Sequence, residues 1–463
     1  MRSSLNFNSH IYSLLSLQLL FSGICSGVGF TAYGQTAPPV TTGPTDAGSK
    51  TQTGAAASGQ ATSTSAVLPG QNAPAGAAQN LALSDALTMA QQRSFVSQQY
   101  DARVAGAAAR LTGAGRLLNP VLSVGAHAGK NTGGTDEDIL LSESFELGDK
   151  RNQRVRAARA ERDAATFDRL TARNDLAFAV QSAYFEAQRA QAERQLAQDA
   201  LANARKFAEA AQIQFTAGDV ARSQVTRSRI EQSRAEQTLT IAETERVNRL
   251  ATLRSLLRIQ ETSQFSLPNL PPFSPVTYKL ETLETYALAH RPDLISAQYL
   301  RAGKEALLHS ARSQSQPDLF VEARHANIDP TQGGNTVRAG LLFPLYDFGR
   351  SRADSTSAKA ALSEQEAVIA ESKRTALLDV DTAYRNLEQA RRTVEAYRGG
   401  RLDSSKELLD QAQIGYSQGA SSFLELLDAQ QVYRAEQTDY TRARAAYNIA
   451  LAALQRAVGG QLP

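Results

Sequence analysis

The chain has 463 residues and a formal net charge of +3, with Lys and Arg interspersed among Asp and Glu. That balance leaves no basic patch for a nucleic acid. A single cysteine excludes a disulfide scaffold, and the absence of tryptophan with few other aromatics suits thin, Ala-rich interdigitated helices better than one thick globular core.

Residues 1–34 read as a secretory signal. Arg2 supplies charge, Leu14 to Ile24 an apolar run, and Ala32-Tyr33-Gly34 a small-residue cleavage pattern. Lipid attachment at Cys25 is the competing reading, but that processing wants a small residue where Ile24 stands. Residues 35–80 are rich in Ala, Gly, Thr, Ser, Gln and Pro and too poor in bulky apolar groups to fold, so a flexible leader is expected. No later segment approaches the roughly 20 apolar residues of a spanning helix. A membrane crossing would have to use strands.

A first repeat is expected over 81–267. A helix runs from about Ser84 to about Leu118 and stops before Asn119-Pro120. Alternation then takes over, with Leu122, Val124, Ala126 and Ala128 followed, after a Gly-rich loop, by Ile139, Leu141, Glu143, Phe145 and Leu147. This predicts a strand hairpin over about 120–147. A helical hairpin follows over about 149–260, with Gly218 as the break between its limbs, and the Pro-rich connector Pro268 to Pro275 comes next.

The second repeat, 268–463, copies the first. Helix Leu280 to Ser315 ends before Pro317 as its counterpart ends before Pro120. Strands are expected over about 317–345, with Phe343-Pro-Leu-Tyr-Asp347 and Arg350 answering Phe145-Glu-Leu-Gly-Asp149 and Arg151. The helical hairpin over about 350–459 is the clearest element of the chain. Leu377, Val380, Tyr384, Leu387, Ala390, Val394 and Tyr397 on one limb recur in steps of three and four. Tyr440, Ala443, Tyr447, Ala450 and Leu454 do so on the other, predicting a coiled coil. Gly419 is suited to the turn, with Ser421 and Ser422 as caps of the returning helix. Ala177, Val180, Tyr184, Ala187 and Ala190 form the equivalent stripe of the first repeat. A period of nearly 200 residues indicates duplication within one architecture, not a solenoid.

Four short strands from two hairpins cannot close a sheet, and open edges are a liability in water and impossible in lipid. Several chains are therefore expected to pool their strands. Val337, Ala339, Leu341, Phe343 and Leu345 would face lipid, with Thr336, Arg338 and Gly340 on the lumen side. Glu322 and Arg324 share one face of the partner strand. An ordinary soluble hairpin capping a coiled coil is the alternative.

The order helix, strand hairpin, long helix, glycine turn, helix, all twice, resembles the TolC-type outer-membrane efflux proteins. The resemblance covers Leu81 to Gly459 and rests on the duplicated layout and on the turns Phe215-Thr-Ala-Gly218 and Tyr416-Ser-Gln-Gly419. It implies a mainly α fold with a small β part, assembled as a homotrimer. Three chains would form an α-helical tunnel in the periplasm continued by a 12-stranded transmembrane β-barrel, with Glu322, Arg324 and Arg338 in the barrel lumen. It also implies a passive exit duct, working with a periplasmic adaptor and an inner-membrane pump of the resistance-nodulation-division class. The adaptor would dock on Ala217, Gly218, Asp219 and Val220 and on Gln418, Gly419, Ala420 and Ser421. Glu425 and Asp428, one helical turn apart, match the paired acids that ring the periplasmic gate in family members. Where the best-known members hold the gate closed with an Arg and an Asp, this chain has Ser421 and Gln224, so that lock is not carried over. The run Glu146-Leu-Gly-Asp-Lys-Arg151 looks like the heavy-metal (cobalt, zinc, cadmium) branch, with drug efflux and type I protein secretion as the other assignments. A pore-free periplasmic scaffold or adaptor is the rival from another class.

No enzymatic constellation is present. His127, His290, His309 and His325 are scattered, and no metal-ligand spacing links them. Gly133-Gly134 and Gly333-Gly334 lack the lysine and helix start of a phosphate loop. No cofactor or metal is expected.

Overall fold

The computed structural model describes residues 79–128, 135–260, 265–327 and 334–463. The expected signal, Cys25, most of the leader and the Gly133-Gly134 loop tip lie outside them. The last two leader residues form β1 (Gln79–Asn80), which pairs in parallel with β4 (Phe265–Ser266). Two helices, α1 (Leu83–Arg93) and α2 (Phe95–Ala114), precede strands β2 (Val121–Ala128) and β3 (Thr135–Phe145). Then come α3 (Lys150–Ala217) and α4 (Arg222–Leu257). The second repeat runs α5 (Leu280–His290), α6 (Pro292–Ser313), β5 (Asp318–Asn327), β6 (Gly334–Leu342), α7 (Arg350–Ala396), α8 (Leu402–Ser417) and α9 (Phe423–Val458).

The single helices expected before each strand pair are each broken in two. Ser94 adopts extended backbone and its hydroxyl accepts from the Val96 N–H, which starts α2 afresh. Pro292 sits in the first turn of α6, where its missing N–H is harmless, and Arg291 before it is pushed out of helical conformation. The freed pieces α1 and α5 pack across the long helices instead of extending the wall. Arg258, just after α4, donates to the Arg93 carbonyl and lies over the Phe95 ring. Likewise the end of α9 abuts the start of α6, where Arg291 donates to the Ala457 carbonyl. Each shorter limb of a hairpin is thus continued end to end by the pre-strand helix of its own repeat. The neighbour order along the wall is α2–α3–α6–α7 at the sheet end and α4–α3–α9–α8 at the other.

The apolar stripes lie where periodicity put them. Val180, Tyr184 and Ala187 pack with Leu253, Leu257 and Leu267, while Val380, Leu387 and Val394 pack with Tyr447, Leu454 and Leu283. Part of each stripe is covered by α1 or α5 and by the connector before the second repeat. The Tyr447 hydroxyl donates to the Ser274 carbonyl and accepts from the Val276 N–H, and Arg444 donates to the carbonyls of Leu270 and Pro271.

α3 is continuous over 68 residues, about 100 Å at roughly 1.5 Å per residue. Its counterpart is interrupted at Tyr397–Arg401, where Gly399 (φ −72°, ψ 16°) and Gly400 (φ 115°, ψ −11°) leave helical geometry. Val180 and Val380 are 200 residues apart, but Gly218 and Gly419, the two left-handed turn glycines, are 201 apart. The second repeat carries one extra residue, and a one-residue helical bulge is the ordinary way to absorb it.

The four long strands form an antiparallel sheet in the order β2-β3-β5-β6. Leu122, Val124, Ile139, Leu141, Val321, Val337 and Leu341 share one face by register. Ser123, Ser142, Ser144, Glu322, Arg324, Thr336 and Arg338 share the other. β6 stops at Leu342, short of the expected Leu345, since the edge beyond it has no partner and Pro344 cannot donate to a ladder. Helix starts also shift the expected equivalence of the exit turns. Gly148 and Asp149 precede α3 with φ of 70° and 67°, and Phe348 and Gly349 precede α7 with φ of 53° and 87°, so Phe348 answers Gly148. Asp347 keeps a capping role from two residues further out. Its carboxylate accepts from the Gly349 and Ser351 N–H groups, and hydrogen bonding from Ser351 first and then Gly349 holds its pKa below the ordinary value.

A methyl group built on Gly400 meets nothing within 4 Å, so only the backbone conformation demands glycine there. Gly400→Ala is expected to cost about 1–3 kcal/mol and to lower the midpoint of the helical circular-dichroism transition. An unchanged midpoint would mean that the kink is not held in the folded protein.

Candidate functional site

The two helical hairpins end in bare turns. Gly218 closes α3 in left-handed conformation, with its N–H donating to the Phe215 carbonyl and the Asp219 N–H to Gln214. Gly419 does the same after α8, and the Ala420 and Ser421 N–H groups both donate to the Gly415 carbonyl. Ala217, Gly218, Asp219, Gln418, Gly419 and Ala420 are exposed, with Val220 and Ser421 half-buried. Each set of four expected tip residues therefore forms one accessible end loop.

Ser422, not Ser421, caps α9. Its hydroxyl accepts from the Glu425 N–H at 3.2 Å while the Glu425 carboxylate accepts from the Ser422 N–H at 3.0 Å, a reciprocal capping box. Glu425 and Asp428 are both exposed. They lie three residues apart on α9, the first fixed by its cap and the second with no hydrogen bond or ion pair among the described residues.

Periodicity missed a residue that joins the hairpins near their tips. Tyr416 accepts from the Gln224 side-chain amide at 2.8 Å and donates to the Gln214 side-chain oxygen at 3.3 Å, linking α8 to both α4 and α3. Its ring packs on the small core of Ala412, Leu426 and Ala429. Gln224, singled out as a departure from the family's charged lock, is thus itself a cross-hairpin contact, made of neutral groups. Exposed apolar side chains near the tips, Ile213, Phe215, Ile414 and Leu424, also escaped sequence reasoning, because helical periodicity marks buried positions.

At the opposite end Glu322 and Arg338 are register partners and form an ion pair, and Arg324 lies two residues along the same face. The three expected barrel residues are thus together on the polar face. Among the described residues no group of three or more His, Cys, Asp or Glu side chains could hold a metal ion, and no helix is long and apolar enough to cross a membrane.

Two duplicated helical hairpins, one with a limb of about 100 Å, mounted on a sheet with one mainly apolar and one mainly polar face, fit a membrane channel protein with a long helical extension. The chain belongs to the outer membrane efflux protein family, whose sequence profile matches residues 83–257 and 285–460. The pyoverdine export outer membrane protein OpmQ of Pseudomonas putida is 25% identical over 414 residues, covering 82% of this chain and 86% of that protein. Its Pseudomonas aeruginosa namesake is 25% identical over 338 residues, 69% of each. Among solved structures, the Campylobacter jejuni CmeC outer membrane channel superposes with a TM-score of 0.69 at 18% identity, over 82% of this chain and 85% of that one. The Vibrio cholerae outer membrane protein VceC does so with 0.69 at 18%, over 82% and 97%. The protein is an outer-membrane exit duct of an efflux system, with its helical part in the periplasm.

Tyr416→Phe keeps the ring and removes both cross-hairpin hydrogen bonds. Amide exchange around 207–231 and 409–433 should quicken, by a factor corresponding to about 1 kcal/mol, with equal effect at low and high salt. No change in exchange would show that the link contributes nothing to the hairpin contact.

Proposed function

We propose that three copies assemble into a passive duct in which twelve strands form the outer-membrane barrel and the helical hairpins form the tunnel. The carrying observation is the sheet of order β2-β3-β5-β6, mainly apolar on one face, where Glu143 and His325 are exceptions, mainly polar on the other, where Leu140 and Phe320 are, and open at both edges. Such a sheet suits lipid only as part of a closed barrel. In that barrel Glu322, Arg324 and Arg338 line the water-filled side. The bare end loops are the docking surface for a periplasmic adaptor's helical tips, supported by exposed Phe215 and Leu424 beside them. An inner-membrane pump of the resistance-nodulation-division class supplies the energy.

Glu425 and Asp428 form the gate in this reading. Threefold symmetry would gather three copies of each carboxylate and concentrate negative potential that favours cations. The relatives named for pyoverdine export favour a solute duct over protein secretion. The heavy-metal assignment rests on the Glu146–Arg151 run alone. A duct need hold no metal ligand of its own, since the pump selects the cargo.

Glu425→Gln preserves the capping box while removing charge. Combined with Asp428→Asn it should abolish most of the cation preference in single-channel recordings, seen as a reversal potential moving toward zero in a salt gradient. An unshifted potential removes the gate assignment. Bulky substitution of Ala217 and Ala420 by Trp should reduce export several-fold with the oligomer intact, and undiminished export removes the docking assignment.

A further inference from the structure

Where the helical wall meets the sheet, α2, α3 and α6 enclose a groove of about 700 Å³. Leu117, Leu118, Leu300 and Leu307 give it an apolar lining. Three of these leucines are exposed, Leu117 by 52%. Small residues shape the space. Gly303 brings α6 so close to α3 that a methyl group there would lie 3.3 Å from the Ala160 Cβ, whereas a methyl group on Gly113 of α2 would meet nothing within 4 Å. The groove is thus tight between α3 and α6 and open beside α2.

Four cations, Arg110, Arg116, Arg154 and Lys304, line this groove against one carboxylate, Glu161. Arg110 pairs with Glu161, and Arg154 with Glu146 from outside the groove. The side chains of Arg116 and Lys304 have no hydrogen bond or ion pair among the described residues. The architecture does not demand this lining, as the second repeat shows. Pro120 answers Pro317 and the extended Ser94 answers Arg291, each 197 residues on, while Lys150 answers Arg350, 200 on. These equivalences put Ser313, Gln314 and Ser315 where Arg116, Leu117 and Leu118 stand, and Asp354 where Arg154 stands. The same helix end and helix start are built there from neutral and acidic residues.

Arg154 reaches Glu146, which continues the series Ser142 and Ser144 of the mainly polar sheet face. The groove therefore opens on the side of the wall that continues that face, the water-filled side of the duct. We infer that it binds amphipathic organic anions inside the duct, the apolar body against Leu117, Leu118 and Leu307 and a carboxylate or sulfonate between Arg116 and Lys304. This rests on the duct reading and adds the class of solute that pauses there. Apolar contact holds the ligand, and the two unneutralised cations select the sign of its charge. Ion pairs in an open groove are weak, so the solute is released again, as conduction through a duct requires.

The full-length protein in lipid nanodiscs is titrated with naphthalenesulfonate, and binding is read by saturation-transfer NMR. Transfer to the ring protons is expected, with none to methanesulfonate, which lacks the apolar body, and weaker transfer to the neutral naphthalenesulfonamide. Gly113→Leu fills the open part of the groove and should abolish binding. Arg116→Gln with Lys304→Gln should weaken it about tenfold and erase the preference over the sulfonamide. Equal binding by all variants places the probe elsewhere and overturns the site. Binding that appears only when amphipol replaces the lipid means that phospholipid fills the groove, and overturns the solute assignment. In planar bilayers the probe should lower the single-channel current, and Gly113→Leu should restore it. A conducting protein that binds the probe without loss of current overturns the inference and leaves the duct reading intact. A protein with no conductance at all removes the duct reading, and the solute assignment with it.

Discussion

Unpaired backbone at the edges of a four-stranded sheet is the constraint on which the rest of this structure depends. The outward N–H and C=O groups of β2 and β6 would each be costly to leave unmet in hydrocarbon, where no water can pair with them. No rearrangement of the chain can satisfy both edges, because the strands are too few to close on themselves. The same asymmetry runs down the helical part. α2 and α4 lie at one margin of the wall, and α7 and α8 at the other. Different surfaces at the two margins define a head-to-tail contact, and such a contact ends in a ring only when the rotation per copy closes.

Duplication reconciles a repeated design with two unequal jobs. The join between repeats is covalently guaranteed, so it can rest on a buried lysine, Lys150, and a single well-placed carboxylate, Asp318. Breaking such a pair is expensive, but forming it within one chain carries no cost of association. A join between separate copies must supply that cost from its own contacts. The second repeat departs again at Gly399-Gly400. The extra residue there leaves the apolar stripe above it in step with the first repeat and shifts the tip below it by one position.

Periodicity made the architecture legible, because burial of Val180, Val380 and their neighbours repeats every three to four residues over long spans. The breaks were less legible. Ser94 lies inside an otherwise helical stretch, and its role becomes visible only when its hydroxyl is seen accepting from Val96. Pro292 was a readable signal, since proline in a first turn marks a new helix start, and one continuous helix was the wrong reading of it. Tip residues were found from their glycines. Tyr416 was hidden because a tyrosine in a helical stripe reads as core, and only the fold places Gln214 and Gln224 within reach of its hydroxyl.

The tip chemistry separates two tasks that a charged lock would merge. A bridge of neutral amides and a phenol is little affected by salt, whereas an exposed ion pair weakens as ionic strength rises. Gln224 and Tyr416 can therefore hold the hairpins together without their contact varying with ionic strength. Glu425 is not a loose side chain but one oriented by the Ser422 N–H, at a helix start where negative charge is favoured. Its position is thus set by the fold of the turn, and Asp428, one turn further on, has its full hydrogen-bonding capacity available.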